Sequence, residues 1–203
     1  MFSEGVTSGG YACVGLIAER VQSRPPKERK MTSECPWVLA VLNMCAISHD
    51  TTDHKWTTVT MNNNMTCKPH QYANHVGPTM ILAVGDFEGG DVYVWNEGTK
   101  HKMNDVGKAT KINVRTLQHF DGRKLHATEA FKGWRVSFVW YTQKRHQQAP
   151  ETEIQTIKNM GCRPSRAIEG SMIMTAAVPE KKRRIIQGLT YLTQENAKKS
   201  TNE

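Results

Sequence analysis

"FDGRKLHATEAFKGWRVSFVWY", residues 120–141, carries most of the information about the architecture of this 203-residue chain. It begins with a Gly-containing turn and ends in a run of β-branched and aromatic residues, which favour strands. Alternation along "WRVSFVWY" places Arg135 and Ser137 on one face of that strand, with Trp134, Val136, Phe138 and Trp140 on the other. An arginine beside a hydroxyl on an inner face predicts a carboxylate-binding site, because a guanidinium can grip a carboxylate with two hydrogen bonds.

Runs of the same composition recur upstream of that stretch. They are "WTTVTM", "TMILAVG", "DVYVW" and "KINVRTL", and Gly, Asn and Asp residues separate them. "GDFEGGD" (85–91) predicts a hairpin turn and "FDGR" (120–123) a second turn. The sequence therefore predicts a mainly β fold with flanking helices, in which an antiparallel sheet closes or doubles over as in a jelly roll.

The two flanks of this β region differ from it in composition. Before it, "YACVGLIAERVQ" predicts a short amphipathic element, "SRPPKERKMTSE" a loop, and "PWVLAVLNMCAI" a buried helix or strand that periodicity cannot assign. After it, "TEIQTIKNMG" predicts a helix that ends at Gly161, and the following residues predict a second helix. We expect N-terminal helical and loop elements over 1–55, the β core over 56–142, and a basic, partly helical extension over 143–203.

Composition limits the class of protein. The five cysteines are scattered and lack C-x-x-C spacing, which argues against a disulfide framework and predicts an intracellular protein, cytoplasmic or nuclear. Neither a signal peptide nor an apolar run long enough for a membrane is visible, and we expect a monomer.

The net charge of +8 is concentrated after residue 143, where the sequence contains eleven Lys/Arg and six Asp/Glu. This basic tail, with "KKRR" at 181–184, makes nucleic acid a candidate partner and nuclear import a candidate role, although solubility is the more common reason for such a charge.

"CKPHQYANHVG", residues 67–77, adds the second candidate motif. A non-haem Fe(II) site uses two histidines and one carboxylate on one face of the metal. The first histidine and the carboxylate usually lie two residues apart, so that both point to the same spot. His70 and position 72 have this spacing, and His126 would supply the second histidine, nine residues before Arg135. Position 72, however, is a tyrosine.

Taken in order, these motifs resemble the 2-oxoglutarate/Fe(II) dioxygenase superfamily, and within it the TET/JBP-like branch with its algal, fungal and viral relatives. The resemblance covers residues 56–142, from "NNNMTCKPH" to "WRVSFVWY". It implies a double-stranded β-helix (jelly roll, cupin-like), with Fe(II) and 2-oxoglutarate as cofactors. It also implies that His70 and His126 bind the metal, that Arg135 and Ser137 hold 2-oxoglutarate, and that Asn74 is the asparagine that often follows the first motif.

Tyr72 departs from the pattern of that family. It leaves no space for a halide, which argues against halogenation. Three interpretations stay open: Tyr72 fills the pocket, it binds the metal as a phenolate, or a carboxylate from another loop takes its place. A phenolate would need a strongly Lewis-acidic metal, because the ordinary pKa of tyrosine is about 10.

Simpler interpretations compete at each site. A single histidine is more often a surface or hydrogen-bonded residue than a ligand. Arg135 could stack on Trp134 or Trp140 as a structural cation. Cys67 and His70 form a C-x-x-H pair, half of a zinc site without a visible second half. Two functions follow. The first is an oxygenase that hydroxylates an unidentified substrate, for which a nucleobase is one candidate. The second is a catalytically degenerate jelly roll that binds a ligand or nucleic acid.

Overall fold

A six-stranded antiparallel sheet packs against two smaller antiparallel sheets in the computed structural model, which describes residues 9–17, 25–95 and 106–165. Their strands are β1 Gly10–Ile17, β2 Lys27–Glu28, β3 Thr58–Asn63, β4 His75–Val84, β5 Phe87–Gly89, β6 Val92–Trp95, β7 Ala109–Ile112, β8 Gln118–Phe120, β9 His126–Thr128, β10 Phe131–Gly133 and β11 Val136–Gln143. The major sheet has the order β2-β1-β3-β11-β4-β8, and the minor side consists of β7-β6-β9 and the pair β10-β5. This is the mainly β, jelly-roll type of fold that the sequence predicts.

Three helices accompany the sheets: α1 Lys30–Glu34, α2 Pro36–His49 and α3 Glu151–Asn159. The apolar run that periodicity left unassigned is α2, a helix of 14 residues that starts with Pro36 at a position where the missing N–H costs nothing. Asn43, buried in the middle of α2, accepts a hydrogen bond from the Trp56 indole at 2.9 Å and donates one to the Met160 carbonyl at 2.8 Å. These bonds tie α2 to the sheet and to the end of α3.

The described residues form two hydrophobic cores, one on each face of the major sheet. The outer core joins the helices to that sheet through Leu39 and Ile157 on the helices and Val14 and Trp140 on the strands, all of them fully buried. The inner core lies between the sheets and includes Ile81, Val92 and Val139. Alternation along β11 therefore distributes its residues as predicted, with Trp140 toward the helices and Val139 toward the minor sheet.

Three local predictions are corrected. The segment 11–22 begins with a strand, because β1 pairs with β3 from Gly10↔Asn63 to Gly15↔Thr58, so the sheet extends into the segment 1–55. The predicted loop 23–34 contains β2 and α1. Residues 85–91 do not form a hairpin: they connect β4 of the major sheet to β6 of the minor side, and β5 within them pairs with β10. The division of the chain at residues 55 and 142 stays a prediction.

Two other predictions are confirmed. Lys124 N–H donates to the Asp121 carbonyl at 3.0 Å, which closes the predicted turn between β8 and β9. The last helical residue of α3 is Asn159, and Gly161 follows with φ +87, the left-handed conformation that ends many helices. The predicted helix beyond it, with the "KKRR" segment, lies outside the described residues. Among the described residues, no helix is long and apolar enough to cross a membrane.

Candidate functional site

A small closed cavity lies between the two sheets, and five of the six predicted site residues line it. They are His70, Tyr72, His126, Arg135 and Ser137, and Cys67 joins them. The cavity volume is ≈ 30 Å³. That is room for one or two water molecules but far below the roughly 300–1,000 Å³ of ordinary ligand pockets. The folded chain thus brings both predicted motifs to one spot, and the side chains nearly fill it.

His70 and His126 are held side by side by the backbone. Each donates its main-chain N–H to the other's carbonyl, at 2.9 and 3.0 Å, and the two ring centroids are 4.3 Å apart. The Nδ1 of His70 lies 2.6 Å from the Lys68 carbonyl, and that of His126 lies 2.8 Å from the Lys124 carbonyl. Because a carbonyl oxygen only accepts, both Nδ1 atoms carry the proton, and both Nε2 atoms keep a lone pair. Metal-binding histidines are typically oriented in this way.

Tyr72 completes a triangle of rings with the two histidines. Its ring centroid lies 4.8 Å from that of His70 and 5.0 Å from that of His126. Its N–H donates to the Gly122 carbonyl at 3.0 Å, and a Cβ at position 122 would lie 3.4 Å from the Tyr72 ring and 2.6 Å from the Thr79 hydroxyl. The glycine of the predicted turn therefore avoids a clash with the Thr79 hydroxyl, and the Tyr72 ring lies next to it at an ordinary contact distance. Burial raises the pKa of the Tyr72 phenol, which disfavours a phenolate ligand.

Arg135 is the most unusual group in the cavity. The residue is 1% exposed, and its buried Nε and Nη2 atoms have no hydrogen-bond partner. Its guanidinium lies beside two rings that contact each other, 5.7 Å from the Phe87 centroid and 5.5 Å from the Phe131 centroid. A Cβ at Gly90 would lie 3.0 Å from the Arg135 Cδ and Nε, so the glycine leaves space for the side chain. The predicted stacking on Trp134 or Trp140 is wrong, because Phe87 and Phe131 provide the stacking rings.

The cavity carries one positive charge at neutral pH. Burial lowers the pKa of Arg135, but only to about 10, so the guanidinium stays protonated. Burial also lowers the pKa of His126 to about 4, so its imidazole is neutral at pH 7. Two nitrogens of this buried cation have no hydrogen-bond partner among the described residues, which costs several kcal/mol, and an anion that enters the cavity would offset that cost. Ser137, 3% exposed and 3.5 Å from the Asn62 amide, adds a hydroxyl to the same cavity.

Asn74 is the one predicted residue that the structure does not bring to the cavity. Its side chain is exposed on the turn before β4, and its carbonyl accepts a hydrogen bond from the Lys144 N–H at 2.8 Å. The next residue, His75, lies against Tyr72 instead, with ring centroids 4.3 Å apart. Sequence reasoning missed His75. Its position as the first residue of an apolar strand was the available signal, because such a residue is commonly turned toward the core.

Two of the three side chains needed for an Fe(II) site are therefore suited to the metal. His70 and His126 direct Nδ1 to backbone carbonyls and so leave Nε2 for a metal, whereas Tyr72 stands where the carboxylate is expected. Within the part of the chain that the structure describes, His, Cys, Asp and Glu residues form no group of three that could hold a metal ion. Among those residues, therefore, no carboxylate from another loop takes the place of the missing ligand. No second half of a zinc site accompanies Cys67 and His70 there either. For a carboxylate ligand, the orphaned nitrogens of Arg135 are a good fit.

Comparison with known proteins gives matches in structure alone. No family model and no curated protein sequence matches the chain. NgTET1 in complex with 5mC DNA aligns with 75% of this chain and 69% of its own, at 12% identity and a TM-score of 0.47. YcfD, a ribosomal oxygenase from Escherichia coli in complex with cobalt and 2-oxoglutarate, aligns with 88% of this chain at 9% identity and a TM-score of 0.41. This chain spans about half of the YcfD chain, 54% of its length.

Proposed function

We propose that this chain is a 2-oxoglutarate/Fe(II) oxygenase-type protein. In this proposal Arg135 and Ser137 bind 2-oxoglutarate, and His70 and His126 bind the metal. The observation that carries the proposal is the buried Arg135 guanidinium, which lacks a hydrogen-bond partner at two nitrogens. It lines the same cavity as two histidines whose Nδ1 atoms face backbone carbonyls.

Each residue has a distinct task in this proposal. Arg135 binds and neutralises the distal carboxylate of 2-oxoglutarate, and Ser137 adds a hydrogen bond to it. The Lys68 and Lys124 carbonyls fix the orientation of the two histidine rings through Nδ1, which leaves Nε2 of each ring as the atom that would bind the metal. Bound Fe(II) would supply oxygen activation for hydroxylation of a C–H bond, coupled to decarboxylation of 2-oxoglutarate.

Tyr72 must move before 2-oxoglutarate can enter. A cavity of ≈ 30 Å³ is too small for a five-carbon dicarboxylate. The Tyr72 ring, however, also lines an open cleft of ≈ 480 Å³ on its other side. Displacing that ring would join the cavity and the cleft, so 2-oxoglutarate has to displace the Tyr72 side chain in order to enter.

The test is an anaerobic titration of the full chain with Fe(II) and 2-oxoglutarate. Chelation of Fe(II) by a 2-oxo acid gives a visible charge-transfer absorption, and we expect this band to appear only when protein, metal and 2-oxoglutarate are all present. His126→Ala should abolish it, because it removes one of the two prepared nitrogens. Absence of both the band and calorimetric binding of 2-oxoglutarate would contradict the proposal.

A second candidate is a catalytically silent jelly roll that binds a carboxylate ligand. Tyr72 favours this candidate, because it leaves the metal with two protein ligands in place of three. The basic tail adds nucleic acid as a candidate partner, and the substrate itself stays unidentified. The two candidates differ in turnover: an oxygenase converts 2-oxoglutarate to succinate in air, whereas a binding module retains it unchanged. Metal content after anaerobic Fe(II) loading gives a first indication.

A further inference from the structure

The open cleft beside Tyr72 has a lining of its own. Its volume is ≈ 480 Å³, within the usual range of small-molecule sites. Tyr72 is the one residue that lines both this cleft and the closed cavity. A molecule bound in the cleft would therefore be separated from His70 and His126 by a single ring. That position suits the substrate of the proposed oxygenase.

One wall of the cleft is a stack of three rings. Tyr72 and His75 are stacked with centroids 4.3 Å apart and an interplanar angle of 20°, and His75 and Tyr141 follow at 3.8 Å and 11°. His75 is 8% exposed, and its buried Nδ1 has no hydrogen-bond partner. Burial lowers the pKa of His75 to about 4, so its ring is neutral at pH 7. The stack thus combines flat apolar faces with one unsatisfied polar nitrogen.

The rest of the lining is polar but uncharged. Three amide side chains, those of Gln71, Asn74 and Gln143, join Ile17 and Ala73, and no Lys, Arg, Asp or Glu belongs to the lining among the described residues. An amide offers both donors and an acceptor, so three of them can match a ligand group that does the same. Among these described residues, a carboxylate or phosphate finds no countercharge, and neither does an ammonium or amidinium group.

We propose that this cleft binds an uncharged, planar amide group, which lies against the stacked rings and hydrogen-bonds to the amide side chains. Its role as the substrate site rests on the proposed function, whereas the binding itself does not. The proposal assigns a chemical class to the ligand: a neutral carboxamide in preference to an acid or a base of the same shape.

Three isosteric probes test this preference. Benzamide, benzoate and benzamidine share a ring and a planar substituent and differ in charge, and their binding to the full chain can be followed by ligand-observed NMR. We expect benzamide to bind at least about fivefold more tightly than the other two. Each titration is repeated with Arg135→Ala, so that any benzoate held by the guanidinium of the cavity is recognised. Equal or tighter binding of benzoate or benzamidine in that variant would overturn the proposal, as would absence of benzamide binding.

Matched variants locate the binding. Gln71→Leu removes an exposed amide of the cleft, and Gln155→Leu makes the same change on α3, outside the lining. We expect Gln71→Leu to weaken benzamide binding about threefold to tenfold, the range for one neutral hydrogen bond, and Gln155→Leu to leave it unchanged. His75→Phe keeps a flat ring in the stack and removes only a buried nitrogen, so it should leave benzamide binding unchanged. If Gln71→Leu has no effect, benzamide binds elsewhere and the proposal is wrong.

The same measurements separate this inference from the proposed function. If benzamide binds and 2-oxoglutarate does not, the cleft proposal is supported and the oxygenase proposal is contradicted. If 2-oxoglutarate binds and benzamide does not, the oxygenase proposal is supported and the cleft proposal is contradicted.

Discussion

The two ends of the closed cavity differ in how well they match an oxygenase. At the arginine end, Arg135 is buried, charged and without a hydrogen-bond partner at Nε and Nη2, so it is ready for an anion. At the histidine end, His70 and His126 are equally well oriented, but Tyr72 occupies the third position. This comparison shows that the strands and turns determine which side chains line the cavity. Whether a metal has three protein ligands there depends on the single residue at position 72.

The largest expected effect concerns the arginine end. Arg135→Ala should weaken 2-oxoglutarate binding by about 1.5–3 kcal/mol, because it removes a charged hydrogen bond from a buried site. Arg115→Ala is the matched control, since the Arg115 guanidinium stacks on Phe87 at 4.2 Å but does not line the cavity. Isothermal calorimetry measures both. Equal affinity for 2-oxoglutarate in the wild type and in Arg135→Ala would show that Arg135 does not bind it. The arginine end would then match an oxygenase no better than the histidine end.

The histidine end should respond to acid in a way that the arginine end does not. His75 and His126 have pKa values of about 4 in the folded protein, whereas the unfolded chain binds these protons near pH 6.5. Between these values the unfolded state holds more protons, so the free energy of unfolding falls as the pH is lowered from 6.5 to 4. Each histidine should contribute about 1–3 kcal/mol to this loss.

Chemical denaturation of the metal-free protein at a series of pH values measures the effect. His75→Phe keeps a stacked ring and removes the titrating group, so its pH dependence should be weaker than that of the wild type. Identical slopes in the two proteins would mean that His75 is not held neutral by its surroundings.

A smaller effect on 2-oxoglutarate affinity is expected from replacing Tyr72, whose ring lies between the cavity and the cleft. Tyr72→Ala opens the cavity without touching Arg135, so 2-oxoglutarate no longer has to displace a ring. Affinity should rise about threefold to tenfold, because moving a packed side chain out of its rotamer costs roughly 0.5–1.5 kcal/mol. Tyr72→Phe is the control: it keeps the ring and should bind like the wild type. Tighter binding by Tyr72→Phe than by Tyr72→Ala would show that the hydroxyl, and not the ring, hinders entry.

The smallest effect concerns the basic tail, which belongs to neither end of the cavity. If "KKRR" and its neighbours contact phosphates, binding to duplex DNA should weaken as salt rises, because each neutralised phosphate releases a counterion. Deletion of residues 179–203 should flatten the plot of log affinity against log salt. An unchanged slope would assign the tail to solubility or targeting, and nucleic-acid recognition would then have to come from the rest of the chain.

The sequence predicted the fold class because strands leave a direct signal. Alternation in "WRVSFVWY" separated Arg135 and Ser137 from Trp140, and the structure places them on opposite faces of the major sheet. The hairpin at 85–91 was predicted wrongly, because glycines mark a change of direction but not whether the next strand pairs within the same sheet. The strand β1 was not recognised as one, because its residues mix apolar and small side chains without strict alternation.

The candidate site was predicted in part for a similar reason. Spacing placed His70 and Tyr72 together, since two-residue separation on an extended segment keeps side chains on one side, and the family resemblance added His126. Phe87, Phe131 and His75 were missed: their contacts with Arg135 and Tyr72 depend on how the two sheets pack, which no local pattern encodes. Asn74 was assigned from a family resemblance, and the geometry of the turn before β4 turns it to the surface.

The measurement that tests the central claim most directly is the Fe(II) affinity of Tyr72→Asp, together with its conversion of 2-oxoglutarate to succinate. Supporting contacts around a metal are worth about tenfold to a hundredfold in affinity, and a direct ligand should be worth at least as much. We therefore expect Tyr72→Asp to bind Fe(II) at least tenfold more tightly than the wild type and to turn over 2-oxoglutarate faster. A wild type that already binds Fe(II) as tightly and turns over as fast would contradict the claim that position 72 lacks a ligand. A mutant no better than a silent wild type would contradict the claim that the rest of the site is intact.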